Sequence, residues 1–562
     1  MKNRLSSHLL LLLGLAVFEI IGYAAIHRAA LIRGYETSLI GAARDLLMYF
    51  PIIVAALWIS IVKRFRGNWT LFTTAILLFS IGLLVQYRLY SDPEYNAKNK
   101  AVARQEKTDA LRLRYINENY DAAKRQIMGL PPAPPPGSET QVPAKEATYT
   151  FGNAVTASYT WIPILSLIGF ALSYLFCVND RFLSWIQRNS FIVVLITLIP
   201  LAGAIINSSA GKSLGGTTPW EPAKVPFLLG FAGILTARYK DLARTYWGIP
   251  RARDIVPLIV MAVIPFVPFF ALKDFGQMLI FSGAYATLYL VAVRRWPQLL
   301  VFVGSVMLVM LILVVGALPR DIQEKFPLLP TVARPIQHAL PARIQQRFHL
   351  WLDGFDPPSP DESWWKKDYD EALVKDPRMK DLADQSEAMK KSVNTDIWFD
   401  KLAFQPAQAV FGIASGKTTG RGLGLGFPEV IPIADSDYVY AAIAEETGLL
   451  GGGLVVLALI IFVGAGIRTS IEARDMFTKL CAAGLTAFIG IQALVNIGGI
   501  TRALPMTGIT LPFVSHGGFS LITSFAMLGM LMAFSHRNVQ DARAVARAKQ
   551  KPEPAIPLEA VQ

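Results

Sequence analysis

The sequence predicts an all-α polytopic membrane protein with about twelve transmembrane helices, and three observations carry that prediction. Hydrophobic residues make up 53% of the 562 and charged residues only 17%. Mean hydropathy is +0.40. Apolar windows of about 20 residues, the length that crosses roughly 30 Å of hydrocarbon, recur along most of the chain. Ordinary soluble domains do not have this composition.

The first two spans, near 8–27 and 45–62, occupy residues 1–66, and a third, near 70–89, occupies 67–90. The start, MKNRLSSHLLLLLGLAVFEIIGYAA, has the basic and apolar parts of a signal peptide. Glu19 within the run and the run's length favour a retained first helix. Residues 91–155 form a polar insertion with a charged helical stretch followed by LPPAPPPG, whose prolines favour an extended, semi-rigid linker. Six spans near 156–178, 190–206, 223–238, 255–271, 276–293 and 298–317 fill 156–317. A second polar insertion covers 318–437. Spans near 438–467, 477–499 and 516–535 fill 438–536, and 537–562 is a basic tail.

Short loops such as Lys63, Arg64 and Arg66, or Arg468, Arg474 and Lys479, are basic. The positive-inside rule therefore puts both termini in the cytoplasm and both long insertions outside. The formal charge of +13 sits largely in these loops and in the tail ARAVARAKQK. Topology and anionic lipid account for it, so membrane lipid is an expected partner and nucleic acid is not. Cys177 and Cys481 fall on the inner side and suggest no disulfide framework. The six histidines show no metal-binding spacing, and no internal repeat supports an inverted-repeat transporter.

Candidate chemistry gathers towards the end of the chain. The stretch DSDYVYAAIAEETGLLGGG carries Asp435, Asp437, Glu445 and Glu446 into an apolar run. Asp435 reads as a solvated loop acid. Asp437, at an expected helix start, suits a helix cap, or a site residue if it faces a cavity. Glu445 follows it by about 80° and roughly 12 Å, so both could face one cavity, whereas Glu446, about 180° away, should face other protein. Acids in a span need partners; Lys417 and Arg421 in SGKTTGRGLG, and Arg502, are the candidates. The glycines of GRGLGLG suit tight turns and close backbone approach rather than nucleotide binding. In ITLPFVSHGGFS, Ser515 suits a helix cap, while Ser515, His516 and Gly517 at a helix N-terminus also suit an anion such as a diphosphate. LKDFGQ places Lys273 and Asp274 in a tight turn as a structural ion pair.

These segments resemble the SEDS family, the RodA/FtsW/SpoVE peptidoglycan glycosyltransferases. The likeness is carried, in order, by ALKDFGQMLIF, RFHLWLDGF, FQPAQAVFGIASGKTTGRGLGLG, SDYVYAAIAEETGLLGGG and NIGGITRALPMTGITLPFVSHGGFS. It covers roughly 70–90 and 156–535. The first two spans and the two insertions are additions to the family's ten-helix core. In TTPWEPAKVPF, Glu221 and Pro222 match a family motif loosely and Lys224 departs from it, as do His516 and Phe519 in theirs.

The resemblance implies polymerisation of lipid II, in elongation or division, with inversion and expulsion of undecaprenyl diphosphate. Asp437 falls on the family's catalytic aspartate and becomes the expected general base. Lys417, Arg421, Arg502, Glu445, Glu446, Ser515, His516 and Gly517 are the expected substrate contacts. The resemblance implies a class B penicillin-binding protein as transpeptidase partner and location in the bacterial inner membrane. No cofactor is required; Mg2+ or Mn2+ could accompany a diphosphate but has no dedicated ligand set. A translocator of lipid-linked sugar and a non-catalytic cell-wall scaffold are the competing expectations.

Overall fold

The computed structural model describes residues 2–37, 39–61, 63–92, 158–209, 220–242, 275–293, 342–375 and 377–549, with isolated positions between them. The predicted spans at 255–271 and 298–317, the Lys273–Asp274 turn and nearly all of 91–155 lie outside the described residues. Among the described residues, eight helices are long and apolar enough to cross a membrane, and nine if one bent pair counts as a span.

The first three helices, α1 (Lys2–Ile32), α2 (Leu39–Leu47) and α3 (Tyr49–Ile61), dock on α4 (Thr70–Ser91). Glu19, buried in α1, accepts hydrogen bonds from the hydroxyls of Tyr49, at 2.7 Å, and Tyr23, at 3.3 Å. Tyr49 in turn touches Ser80 of α4. An acid inside an apolar span is thus met by hydroxyl partners.

Next come α5 (Ser158–Val178), α6 (Asp180–Arg188), α7 (Ser190–Ile196) and α8 (Leu198–Ser209). The predicted span near 190–206 begins just after a bend, where the Asp180–Arg188 helix meets the Ser190–Gly203 segment at 86°. Asn179 caps α6 by accepting from Arg181 N, and Asn189 then leaves helical backbone, which turns the chain.

Helices α9 (Trp220–Leu242) and α10 (Phe275–Val293) follow, with a two-residue hairpin pairing Thr245–Tyr246 and Ile249–Pro250 after α9. A separate small module begins with α11 (Ala342–Leu352), α12 (Lys366–Lys375), α13 (Pro377–Ala383) and α14 (Glu387–Trp398). It has its own core of Trp365, Tyr369, Val393, Ile397 and Trp398. A π turn, Phe399–Ala403, leads into α15 (Phe404–Gly416). The last helices are α16 (Val439–Glu472), α17 (Met476–Ile500) and α18 (Gly518–Lys549). One continuous apolar core joins α4, α5, α9, α10, α16, α17 and α18. At Gly82 the backbone of 511–515 packs directly on α4: a Cβ there would lie 2.4 Å from Val514 O.

The predicted span near 438–467 is broken. Gly448 has φ 66° and ψ −165°, so α16 is two helical segments joined at an angle. The second segment, 449–472, is about 36 Å long at 1.5 Å per residue and can cross a bilayer alone. At the break, helical hydrogen bonds are replaced by bonds to the glycine-rich loop. Arg421 N donates to Glu445 O at 3.0 Å and Gly422 N to Glu446 O at 2.9 Å, while Leu449 N and Leu450 N donate to Lys417 O and Thr418 O. Irregular backbone in a membrane protein persists where protein supplies its partners, as here.

Candidate active site

Asp437 sits just before α16 but does not cap it. The helix begins at Val439 with Tyr438 as its N-cap residue, and no side chain makes a capping bond. Instead, the turn at 433–438 is closed by Ser436 N and Tyr438 N donating to Ile433 O. Asn496 Nδ2, from α17, donates to the Asp437 carbonyl at 2.9 Å. The carboxylate, which accepts from Ser436 Oγ at 3.2 Å, faces a cavity of about 310 Å³.

Arg347, Trp351, Tyr438 and Arg502 line the same cavity. A Cβ on Gly508 would lie 3.6 Å from Asp437 Oδ2 and 3.9 Å from Arg347 Nη2, so carboxylate and guanidinium border one point. Arg502 adopts φ 61° and is clasped by α11. Its Nη2 donates to Trp351 O at 3.3 Å, Trp351 Nε1 donates to Arg502 O at 3.1 Å, and its guanidinium lies 5.2 Å from the Phe355 ring centroid. Burial, and then the Asp437 charge, push the Tyr438 hydroxyl above its ordinary range, so it stays neutral. The cavity is at the small end for ligand sites and suits the reacting end of a larger substrate.

Several expected site residues lie elsewhere. Glu445 does not share the Asp437 cavity: its Oε1 accepts from Phe427 N at 2.9 Å. Glu446 faces other protein, as expected, and accepts from Arg88 Nε at 2.9 Å. Lys417 and Arg421 are exposed beside the broken turn of α16, and Arg421 lies over the Phe427 ring. They are not among the residues lining the cavity, because the break in α16 draws their loop to Gly448.

Ser515 does not cap α18. Its hydroxyl donates to Ser436 O at 2.7 Å and accepts from Leu511 N at 2.8 Å. His516 N donates to Asp435 O at 2.8 Å, and Gly517 packs against Thr510. Ser515 and His516 thus brace the turn that carries Asp437. Asp435 is half-buried rather than solvated and accepts from Tyr90 Oη at 2.7 Å.

Reasoning from sequence missed Arg347, Asn496, Arg88 and Glu429. Arg88 had a signal, since an arginine in an apolar span requires partners. It meets Asp92 at 3.1 Å, Glu429 at 3.0 Å and Glu446 at 2.9 Å. Lys224 is also paired: its Nζ lies 2.7 Å from both oxygens of Glu221 and 2.7 Å from Gln492 Oε1. Gln492 Nε2 donates to Thr510 O at 3.0 Å, which connects this pair to the 509–515 segment.

The family model for the FtsW/RodA/SpoVE cell cycle proteins matches residues 381–540. Peptidoglycan glycosyltransferase RodA of Mycobacterium tuberculosis is 26% identical over 389 residues, covering 66% of this chain and 68% of the relative. Over residues 381–540 the chain is similar to the FtsW/RodA/SpoVE cell cycle proteins. Stage V sporulation protein E of Bacillus subtilis is 36% identical over 142 residues, 25% of this chain and 39% of the relative. Probable peptidoglycan glycosyltransferase FtsW of Halomonas elongata is 26% identical over 394 residues, 67% and 79% of the two chains. Among solved structures, a chain of a peptidoglycan synthase complex aligns with TM-score 0.46 at 19% identity, over 70% of this chain and 94% of that one. Thermus thermophilus rod shape determining protein RodA aligns with TM-score 0.31 at 16% identity, over 69% and 97%.

Asp437 and Arg502 fall inside the segment that the family model matches and Arg347 outside it. Among the described residues no three His, Cys, Asp or Glu side chains converge as a metal site.

Proposed function

We propose that this chain is a peptidoglycan glycosyltransferase that polymerises lipid II, with Asp437 as its general base. The carrying observation is that Asp437, relieved of any capping role, opens into a cavity that also presents Arg347 and Arg502. A base and two cations in one small space match what the transfer needs. Asp437 takes the proton from the 4-hydroxyl of the acceptor GlcNAc as that oxygen attacks the anomeric carbon of the donor MurNAc. The bond to the diphosphate oxygen breaks and its electron pair leaves with undecaprenyl diphosphate. The arginines stabilise that negative charge, and no second acid is needed to protonate so good a leaving group.

A further observation supports a lipid-linked substrate. An apolar cavity of about 1090 Å³ runs between α10, α16 and α17 and reaches Gly498, Thr501 and Ala503, beside Arg502. A polyprenyl chain lying there would deliver its diphosphate to the arginines. On this reading the Asp437 face is extracytoplasmic, the membrane is the bacterial inner membrane and both termini are cytoplasmic. The partner on this reading is a class B penicillin-binding transpeptidase.

Purified protein supplied with fluorescent lipid II is expected to make glycan strands and release undecaprenyl diphosphate. Protein that carries lipid II across vesicle membranes but makes no strands, with or without the transpeptidase, would overturn the proposal in favour of a translocator.

A further inference from the structure

The end of the first helix reaches into the loop that leads to Asp437. Arg33 directly follows α1, its N–H donating to Ala29 O at 3.0 Å. Its Nη2 lies 2.5 Å from Oε1 of Glu429, 396 residues away in sequence. Arg88 Nη2 takes the other oxygen of Glu429 at 3.0 Å, so one buried carboxylate is gripped by two arginines, one just after α1 and one in α4. Arg33 Nη1 also donates to Gly426 O at 3.1 Å and Gly424 O at 3.4 Å, and its guanidinium lies 5.1 Å from the Phe427 ring centroid. Gly424 has φ 81° and rests directly on α1, where a Cβ would lie 2.6 Å from Ala29 Cβ.

The charges show why Arg33 matters. Arg88 by itself faces three carboxylates, Asp92, Glu429 and Glu446, all buried. Arg33 is the second cation of the cluster, and a buried carboxylate deprived of its partner is costly. Glu429 lies on the short turn Pro428–Val430, from which the chain continues through Ile431 and Ala434, both buried, to Asp437. The loop from Gly422 to Phe427 has no charged side chain of its own, so these arginines supply the charge that holds it.

We infer that Arg33 is a positioning residue for glycosyl transfer. Through Glu429 and the carbonyls of Gly424 and Gly426 it fixes the loop whose far end carries Asp437. The first helix, outside the matched family segment, is thereby part of the catalytic apparatus as well as a membrane anchor. The inference rests on the assignment of Asp437 as base.

Its test is a double-mutant cycle on strand synthesis from lipid II by purified full-length protein. Arg33→Gln is expected to lower kcat by about ten- to a hundredfold, the range for small misplacement of a catalytic group, with KM changed by less than about twofold. Arg33→Lys, which keeps the charge but loses the planar fork, should recover part of that loss. If Arg33 acts through Glu429, the double variant with Glu429→Gln should lose no more than the worse single variant. A kcat for Arg33→Gln within twofold of the parent, or losses that multiply in full, would overturn the inference. If Arg33→Gln does not accumulate as folded protein, the cycle is run with Arg33→Lys under the same criteria. Failure of the Asp437 assignment would show separately, as Asp437→Asn protein with parental turnover.

Discussion

At the scale of residues, the proposed mechanism divides the chemistry between Asp437 as base and the arginines, Arg347 among them. A guanidinium facing developing charge in a small site is worth about 10²- to 10³-fold in rate. Arg347→Gln is therefore expected to lower strand synthesis by that factor, with the rate of diphosphate release as the readout. A rate within threefold of the parent would remove Arg347 from the mechanism. Asp435, two residues from the proposed base, gives the opposite prediction. Its side chain accepts from Tyr90 Oη, and an amide oxygen can accept the same bond. Asp435→Asn should keep turnover within about threefold, and a large loss would mean that this acid also enters the chemistry. Asp437 stood out in the sequence as the candidate base because its motif is long and specific. Arg347 was in the quoted RFHLWLDGF but had no visible role, since only the folded α11 brings it across to Gly508.

At the scale of elements, the break in α16 controls which residues share a site. Hydropathy sees one apolar run from 439 onward and cannot register that Gly448 changes its direction. Counting 3.6 residues per turn from Asp437 put Glu445 towards the same cavity, but Asp437 is outside the helix and Glu445 turns to Phe427 N. The backbone at Gly448 is in a region essentially restricted to glycine, and a Cβ would lie 2.3 Å from Gly420 N. Gly448→Ala is expected to cost at least about 1–3 kcal/mol from the backbone alone. Gly453→Ala, where a Cβ meets nothing within 4 Å, should be neutral or slightly stabilising. Thermal unfolding in detergent compares the two, and equal melting temperatures would contradict the description of the break.

For the whole molecule, buried polar clusters tie parts of the chain that hydropathy treats as separate. Glu19, Tyr49 and Ser80 join the first helices to α4; Glu221, Lys224 and Gln492 join α9 to α17; Arg33, Arg88 and Glu429 join α1 and α4 to the loop before Asp437. Arg88→Gln leaves three buried acids with one cation, a change expected to cost about 3–5 kcal/mol. The melting temperature in detergent should fall clearly, and an unchanged value would mean that water reaches the cluster. The all-helical membrane class was legible from composition and apolar run length. These pairings were not, because they depend on which charged side chains meet across hundreds of residues.

The most direct test of the account is the rate of glycan strand formation from lipid II by purified Asp437→Asn protein, measured beside Glu445→Gln. Loss of a general base should reduce the Asp437→Asn rate by about 10²- to 10⁴-fold. Glu445→Gln, whose side chain can still accept from Phe427 N, should remain active. Parental strand synthesis by Asp437→Asn protein would contradict the claim that the chemistry takes place in this cavity.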